Sequence, residues 1–318
     1  MDTLDVKMKL IVFAIDLICP LVLGYACKYQ HRFGDDFFNK MILNNIMIVC
    51  PVVSFLAFWI MPLTRELLLL PVLSLAMMAV PGAIGFFAAR RKYVGSFGEQ
   101  GAFVMAACLS NIGAIGGVCV FLIYGEQGYG YQQIAVLVQY IFMFMICYPL
   151  AQWYEANENG RSAKKASIIS MIFTKKQLAV LGILAGGLLQ LAGIARPHDL
   201  DGVAELFIHA GAWTGLIPVG YSIDFPKVRK YAFSLFDMAF IKFIATPLLM
   251  CGLTALSGVS HTMAGTIIVL SAMPTAINAV VTARLYRLNI DLDVASFLIT
   301  TLIFIFAVYP VMFILLTR

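Results

Sequence analysis

The chain is 318 residues long, 61% of them apolar and only 12% charged, with a formal net charge of +5. A soluble domain carries about 25% charged residues, so a water-soluble globule is excluded. The positive excess is small and falls in connectors, which excludes a nucleic-acid-binding surface.

Apolar runs of about 20 residues, the length that spans a bilayer as a helix, recur from one end to the other. They cover 7–29, 41–61, 67–89, 97–124, 132–153, 177–194, 204–222, 232–256, 261–286 and 294–316. The leader Met1-Asp2-Thr3-Leu4-Asp5 is acidic where a secretory signal would be basic, so 7–29 is expected to be the first membrane helix. The longest connector, 154–176, is polar and basic; it divides a first half, 1–153, from a second, 177–318.

Five crossings per half is an odd number. The second half therefore enters the membrane from the opposite side, as in an inverted repeat. Alternate connectors hold most of the cations: Lys28, Arg32 and Lys40; Arg90, Arg91 and Lys92; Arg161, Lys164, Lys165, Lys175 and Lys176; Lys227, Arg229 and Lys230; Arg284 and Arg287. The opposite side has Lys7, Lys9, Arg65, Arg196 and Arg318. Positive residues stay cytoplasmic, so both termini are expected outside and the 154–176 linker inside a cell's plasma membrane.

Two of the runs carry helix-breaking residues in the middle. The fourth contains Leu109-Ser110-Asn111-Ile112-Gly113-Ala114-Ile115-Gly116-Gly117, and the ninth contains Met273-Pro274-Thr275-Ala276-Ile277-Asn278. The glycines permit positive φ and close backbone approach; Pro274 removes a donor and bends the residue before it. Unwound backbone survives in a membrane only when buried in protein or lining a wet cavity. A matched pair of such breaks points to a transporter's binding site. The half-helices that restart near Gly113 and Ala276 present unpaired N–H groups and partial positive charge, which suits an anion. Asn111, Ile112, Gly113, Thr275, Ile277 and Asn278 are the candidate substrate ligands, with Gln139 and Tyr140 beside them in the fifth run.

Ionisable residues inside a membrane are costly and mark function by default. Lys242 lies mid-way along the eighth run, Asp16 in the first and His209 in the seventh. Lys242 balances either an anionic substrate or Asp16, while Asp16 and His209 are candidates for a proton carrier or a charge pair. The seven cysteines all lie in the runs and form no metal-binding pattern; no metal, cofactor or disulfide is expected. The four histidines form no HExxH, and no nucleotide-binding Gly-Lys-Ser/Thr loop is present, so neither an enzyme of those types nor a P-loop pump is expected.

The stretch Ala272-Met273-Pro274-Thr275-Ala276-Ile277-Asn278-Ala279, followed by Tyr286 and Asp291, resembles the ninth and tenth helices of the auxin efflux carrier family. Leu109-Ser110-Asn111-Ile112-Gly113 is similar to that family's fourth-helix break, and Pro218-Val219-Gly220 and the segment from Lys242 to Pro247 agree with it. The resemblance runs through all ten helices in order. It implies an all-α membrane fold of ten helices in a 5+5 inverted repeat, shared with bile-acid/sodium symporter relatives, with broken helices four and nine crossed. Helices one, two, six and seven would form a scaffold; three to five and eight to ten would form a transport domain that slides against it. Members of the family carry malate, malonate or, in plants, the indole carboxylate auxin. The short central linker favours the compact, microbial type. The Glu and Gln pair that bile-acid relatives use for sodium is lacking, and the coupling ion stays open between H+ and Na+. The expected function is a secondary-active carrier of a small organic anion, as a monomer or homodimer; the competing reading is a channel or sensor of the same fold.

Overall fold

The computed structural model describes residues 3–30, 33–61, 64–159, 178–221, 223, 230–231 and 235–316. Its elements are helices. Five of them are long and apolar enough to cross a membrane: Asp36–Ile60, Glu66–Lys92, Ala114–Glu158, Phe236–Ser257 and Ile290–Leu315. The chain is a multi-pass membrane protein. The central linker is helical as far as Glu158. Residues 160–177 lie outside the described residues, as do Arg32, Lys227, Arg229 and Arg318.

Helices α1 (Thr3–Gln30), α2 (Asp35–Asn44) and α3 (Cys50–Ile60) open the chain. After α4 (Leu70–Lys92) comes α5 (Phe97–Cys108), capped by the Ser96 hydroxyl, which accepts from the Glu99 N–H. Helix α6 (Ala114–Phe142) is two helices joined at Gly125, whose φ of 64° only glycine adopts readily. Then follow α7 (Tyr148–Glu158), α8 (Leu178–Leu191) and α9 (Asp199–Tyr221). The C-terminal part comprises α10 (Phe236–Phe240), α11 (Thr246–Ser257), α12 (His261–Ser271), α13 (Ile277–Leu285), α14 (Ile290–Ile303) and α15 (Tyr309–Leu316).

Four of these helices are joined to their neighbours by five-residue π-helical turns: Asn45–Val49, Met143–Cys147, Ile241–Ala245 and Phe304–Val308. Each is followed by one residue and then a proline: Pro51, Pro149, Pro247 and Pro310. The cause is local. Proline has no N–H to give to the carbonyl of the preceding turn, and its ring crowds that carbonyl. The residue before each proline reaches back five positions instead, Cys50 to Asn45, Tyr148 to Met143, Thr246 to Ile241 and Tyr309 to Phe304. The helix thus continues through the proline as a π-turn rather than a sharp kink.

Two groups of helices pack separately. In one, α1 lies along α9 and α3 along α8. Glycines set both seams. A Cβ on Gly182 or Gly186 would stand 2.3 Å from the carbonyl oxygens of Pro51 or Phe55, and one on Gly220 would stand 2.1 Å from that of Leu21. Small residues that let backbones touch are the usual adhesive between helices in lipid, where burial alone gives no driving force. In the other group α4 packs on α5, α6, α11 and α12, and α5 packs on α7, α13 and α14. That group holds most of the main apolar core, including Phe103, Met105, Leu270 and Phe304, each fully buried. The groups meet where α3 and α9 pack on α6: Phe58, Ala212 and Leu216 belong to the main core, and Val53, Ala57, Tyr129 and Ile208 form a second cluster.

Candidate functional site

The two breaks meet. Ser110 and Thr275 form an isolated antiparallel bridge. The Asn111 N–H donates to Pro274 O at 2.8 Å, and the Ala276 N–H donates to Leu109 O at 2.9 Å. Each break therefore satisfies backbone groups that the other has freed, which answers where those bonds go inside a membrane. Side chains complete the set. Gln139 Nε2 donates to Ser110 O at 3.1 Å, and Gln132 Nε2 to Ile112 O at 2.7 Å. The Thr275 N–H donates to Thr300 Oγ1 at 3.0 Å, while Thr275 Oγ1 donates to Ala106 O at 3.2 Å.

Of the two properties expected of the glycines in the first break, the structure uses close approach and not positive φ. None of Gly113, Gly116 and Gly117 has positive φ. Gly116 is required by proximity, since a Cβ there would lie 2.8 Å from Leu270 Cδ2 in the opposing broken segment. Gly113 has open space beside it.

That space belongs to a cavity of about 160 Å³ between the crossing breaks and helices α2, α3, α6 and α9. Asn111, Ile112, Gly113, Gln139, Tyr140, Ile277 and Asn278, predicted from sequence, all line it. The other two predicted ligands do not. Thr275 is turned into the packed core by its bonds to Ala106 and Thr300. Lys242 is fully buried behind the break, where Nζ donates to Ser110 Oγ at 2.8 Å and lies 3.4 Å from Leu109 O.

The lining contains no charged side chain. It is rich in donors. Neither half-helix that starts here, at Ala114 or at Ile277, has a side-chain cap. Asn111 is 8% exposed, and its Nδ2 has no hydrogen-bond partner. A buried donor left unpaired costs free energy of order 1–3 kcal/mol, and a ligand oxygen would remove that cost.

The pairing considered between Asp16 and Lys242 does not occur. Asp16 Oδ2 lies 2.5 Å from His209 Nδ1, and Trp213 Nε1 donates to Asp16 Oδ1 at 2.9 Å. The reason is the α1–α9 seam, which sets Asp16 against a histidine and a tryptophan one turn apart on α9. His209 also meets the edge of Phe121. This triad lies outside the cavity lining.

Sequence reasoning missed Gln132, Gln133 and Asn45. Gln133 links its Gln132 neighbour to Ser54, with Ser54 Oγ donating to Gln133 Oε1 at 3.0 Å. Asn45 Nδ2 donates to Gly211 O and Thr214 Oγ1, both at 2.6 Å. The available signal was spacing: Gln132 and Gln139 are seven residues apart on an apolar helix, which puts two amides on one face.

Residues 219–312 match the family model described as Membrane transport protein, the auxin efflux carrier family. The matched stretch contains the second break, Lys242 and Thr300. That stretch is less than a third of the chain. No curated protein matches the chain. The first break lies outside the matched residues; its bonds to Pro274 and Ala276 tie it to the matched segment.

Proposed function

We propose that the chain is a secondary-active carrier of a small organic carboxylate, working by elevator-like alternating access. One observation carries this reading. Two uncapped helix N-termini and the unpartnered Asn111 amide converge on a single cavity that has no charged lining. Donors at helix N-termini suit an anion, and the buried, unpartnered Gln139 Oε1 in the same lining would accept from a hydroxyl of the ligand. The size of the cavity narrows the class. A cavity of about 150 Å³ holds benzene, so about 160 Å³ suits an acid of six or so heavy atoms better than an indole carboxylate.

The α1, α3, α8 and α9 group is the scaffold in this reading, and the group around the breaks is the moving body. Matching features in the two halves support the inverted repeat of 1–153 and 177–318: a break in the fourth segment of each, and the sequence Tyr-Pro directly after a π-turn at Tyr148-Pro149 and Tyr309-Pro310. The distribution of cations supports placing both termini outside the cell.

Uptake of radiolabelled mono- and dicarboxylates into proteoliposomes tests the reading, with and without sodium and proton gradients to identify the coupling ion. Saturable uptake is expected. Asn111→Ala removes a hydrogen bond to a charged group, worth about 1.5–3 kcal/mol, so affinity falls about tenfold to a hundredfold while the helical content stays. Asn278→Ala acts in the same direction. Wild-type uptake by both variants would overturn the site, and flux that never saturates would make the protein a channel.

A further inference from the structure

Lys242 is the fully buried cation that the cavity itself does not use. It sits in the π-turn Ile241–Ala245, and its acceptors, Ser110 Oγ and Leu109 O, are neutral groups of the first break. Among the described residues no carboxylate pairs with it. Asp237, one turn before it, is bound to Lys92 at 2.5 Å, and both oxygens of the buried Asp293 are without partners. The titratable groups facing it are the thiols of Cys108 and Cys147. An ammonium in such surroundings is costly without a countercharge. Ser110 connects it to the cavity. The Ser110 hydroxyl accepts from Lys242, so its own proton is free to donate, and Ser110 lines the space where the donors converge.

We infer that Lys242 is a built-in counter-ion that moves with the bound substrate, so that a carboxylate of one negative charge crosses the membrane within a neutral assembly. This rests on the anion-carrier reading and deepens it, because it sets the valence of the substrate. Lys242 does not touch the substrate; it is a positioning residue that acts through Ser110 and through its field. With a monocarboxylate bound, Lys242 and the substrate contribute one positive and one negative charge to the moving body. With a dicarboxylate bound, they contribute one negative charge in excess. A unit charge crossing the whole of a 100 mV potential changes a rate or population by up to about 50-fold.

The test is substrate exchange, in which only the loaded body moves. Wild-type protein in liposomes exchanges labelled pyruvate or succinate, with the potential set by a potassium gradient and valinomycin. Pyruvate exchange is expected to be the same at zero and at about 100 mV, and succinate exchange to shift several-fold. Lys242→Met makes pyruvate exchange sensitive to potential, whereas Lys242→Arg leaves it insensitive. A loss of packing alone would slow exchange without giving it voltage dependence. Wild-type pyruvate exchange that shifts with potential as succinate exchange does would overturn the inference, and it needs no variant that folds. Pyruvate exchange by Lys242→Met that ignores potential would overturn it as well. Exchange of neither acid by the wild type would instead remove the anion-carrier reading on which it rests.

Discussion

Gly186→Ala destabilises the protein strongly, while Gly187→Ala, one residue on, leaves it intact or stabilises it. The two positions are adjacent in one helix and have the same intrinsic preference. Replacing glycine by alanine inside a helix favours folding by about 0.8–1 kcal/mol, and at Gly187, where a Cβ meets nothing within 4 Å, that gain is kept. At Gly186 the Cβ would stand 2.3 Å from Phe55 O and 3.0 Å from Trp59 N. Those are backbone atoms of a packed helix and cannot rotate away. Overpacking against side chains costs about 1–3 kcal/mol; displacing the α3 main chain should exceed that range. Thermal unfolding of the two variants in one detergent decides it. Equal midpoints would mean that α3 and α8 are not held by this contact.

Arg196→Met is expected to have the second largest effect, on a clamp of ion pairs. The guanidinium is 3% exposed and joins three elements. It binds Glu126 at 2.5 and 2.9 Å beside the Gly125 bend, Leu56 O at 2.9 Å and Asp201 at 2.5 Å near the start of α9. Glu126 is on the proposed moving body; Leu56 and Asp201 are on the proposed scaffold. Removing one partner of a buried pair costs about 3–5 kcal/mol, and the part-exposed Glu126 puts this case near the lower end. A double-mutant cycle with Glu126→Gln should give a coupling above about 1 kcal/mol. Additive single effects would show that the clamp is not a bond between the two groups.

The clamp also has a direction in pH. Arg196 holds the Asp201 carboxyl below the usual carboxylate range, with His198 adding to the effect. A folded value below the unfolded one stabilises the protein above the unfolded value, about 4. That stabilisation disappears as pH falls through the folded value. Asp201 is well exposed, so its share is small. Arg196→Met should therefore lower stability at neutral pH and approach the wild type as pH falls below about 4, which flattens the acid limb of the stability profile.

How much of this was readable beforehand varies with the kind of signal. Both breaks were visible, because Gly, Pro and Asn punctuate a helix through the chain's own covalent geometry. Their position is right to within a residue or two: the half-helices start at Ala114 and Ile277. The cavity ligands followed from that position. Direction was not readable. Thr275 is held in the core by its bonds to Ala106 and Thr300, and Lys242 lies behind the break; neither direction is written in the order of residues. Asp16 was visible as a buried charge, but its partner depended on which helix α1 lies against. For Gly116 both conformational freedom and close approach were open, and choosing the second needs the opposing Leu270. Of the four prolines that follow π-turns only Pro247 was noted, and none of the π-turns was, since proline in a helix also permits a kink.

Those π-turns have a geometric consequence for the helix that carries Lys242. Met238, Lys242, Thr246, Met250 and Thr254 are spaced by four and all buried. In a straight α-helix each residue advances about 100°, so the last of a series spanning sixteen residues would be rotated about 160° from the first, nearly onto the lipid side. The π-turn at Ile241–Ala245 takes up about one residue of that advance and brings the series back to within about 60°. A phase correction built into the backbone thus keeps one stripe heading inward for the helix's whole length. Lys242 lies within the correcting turn, and winding that turn as regular α-helix, with no residue removed, would swing Thr246, Met250 and Thr254 outward together.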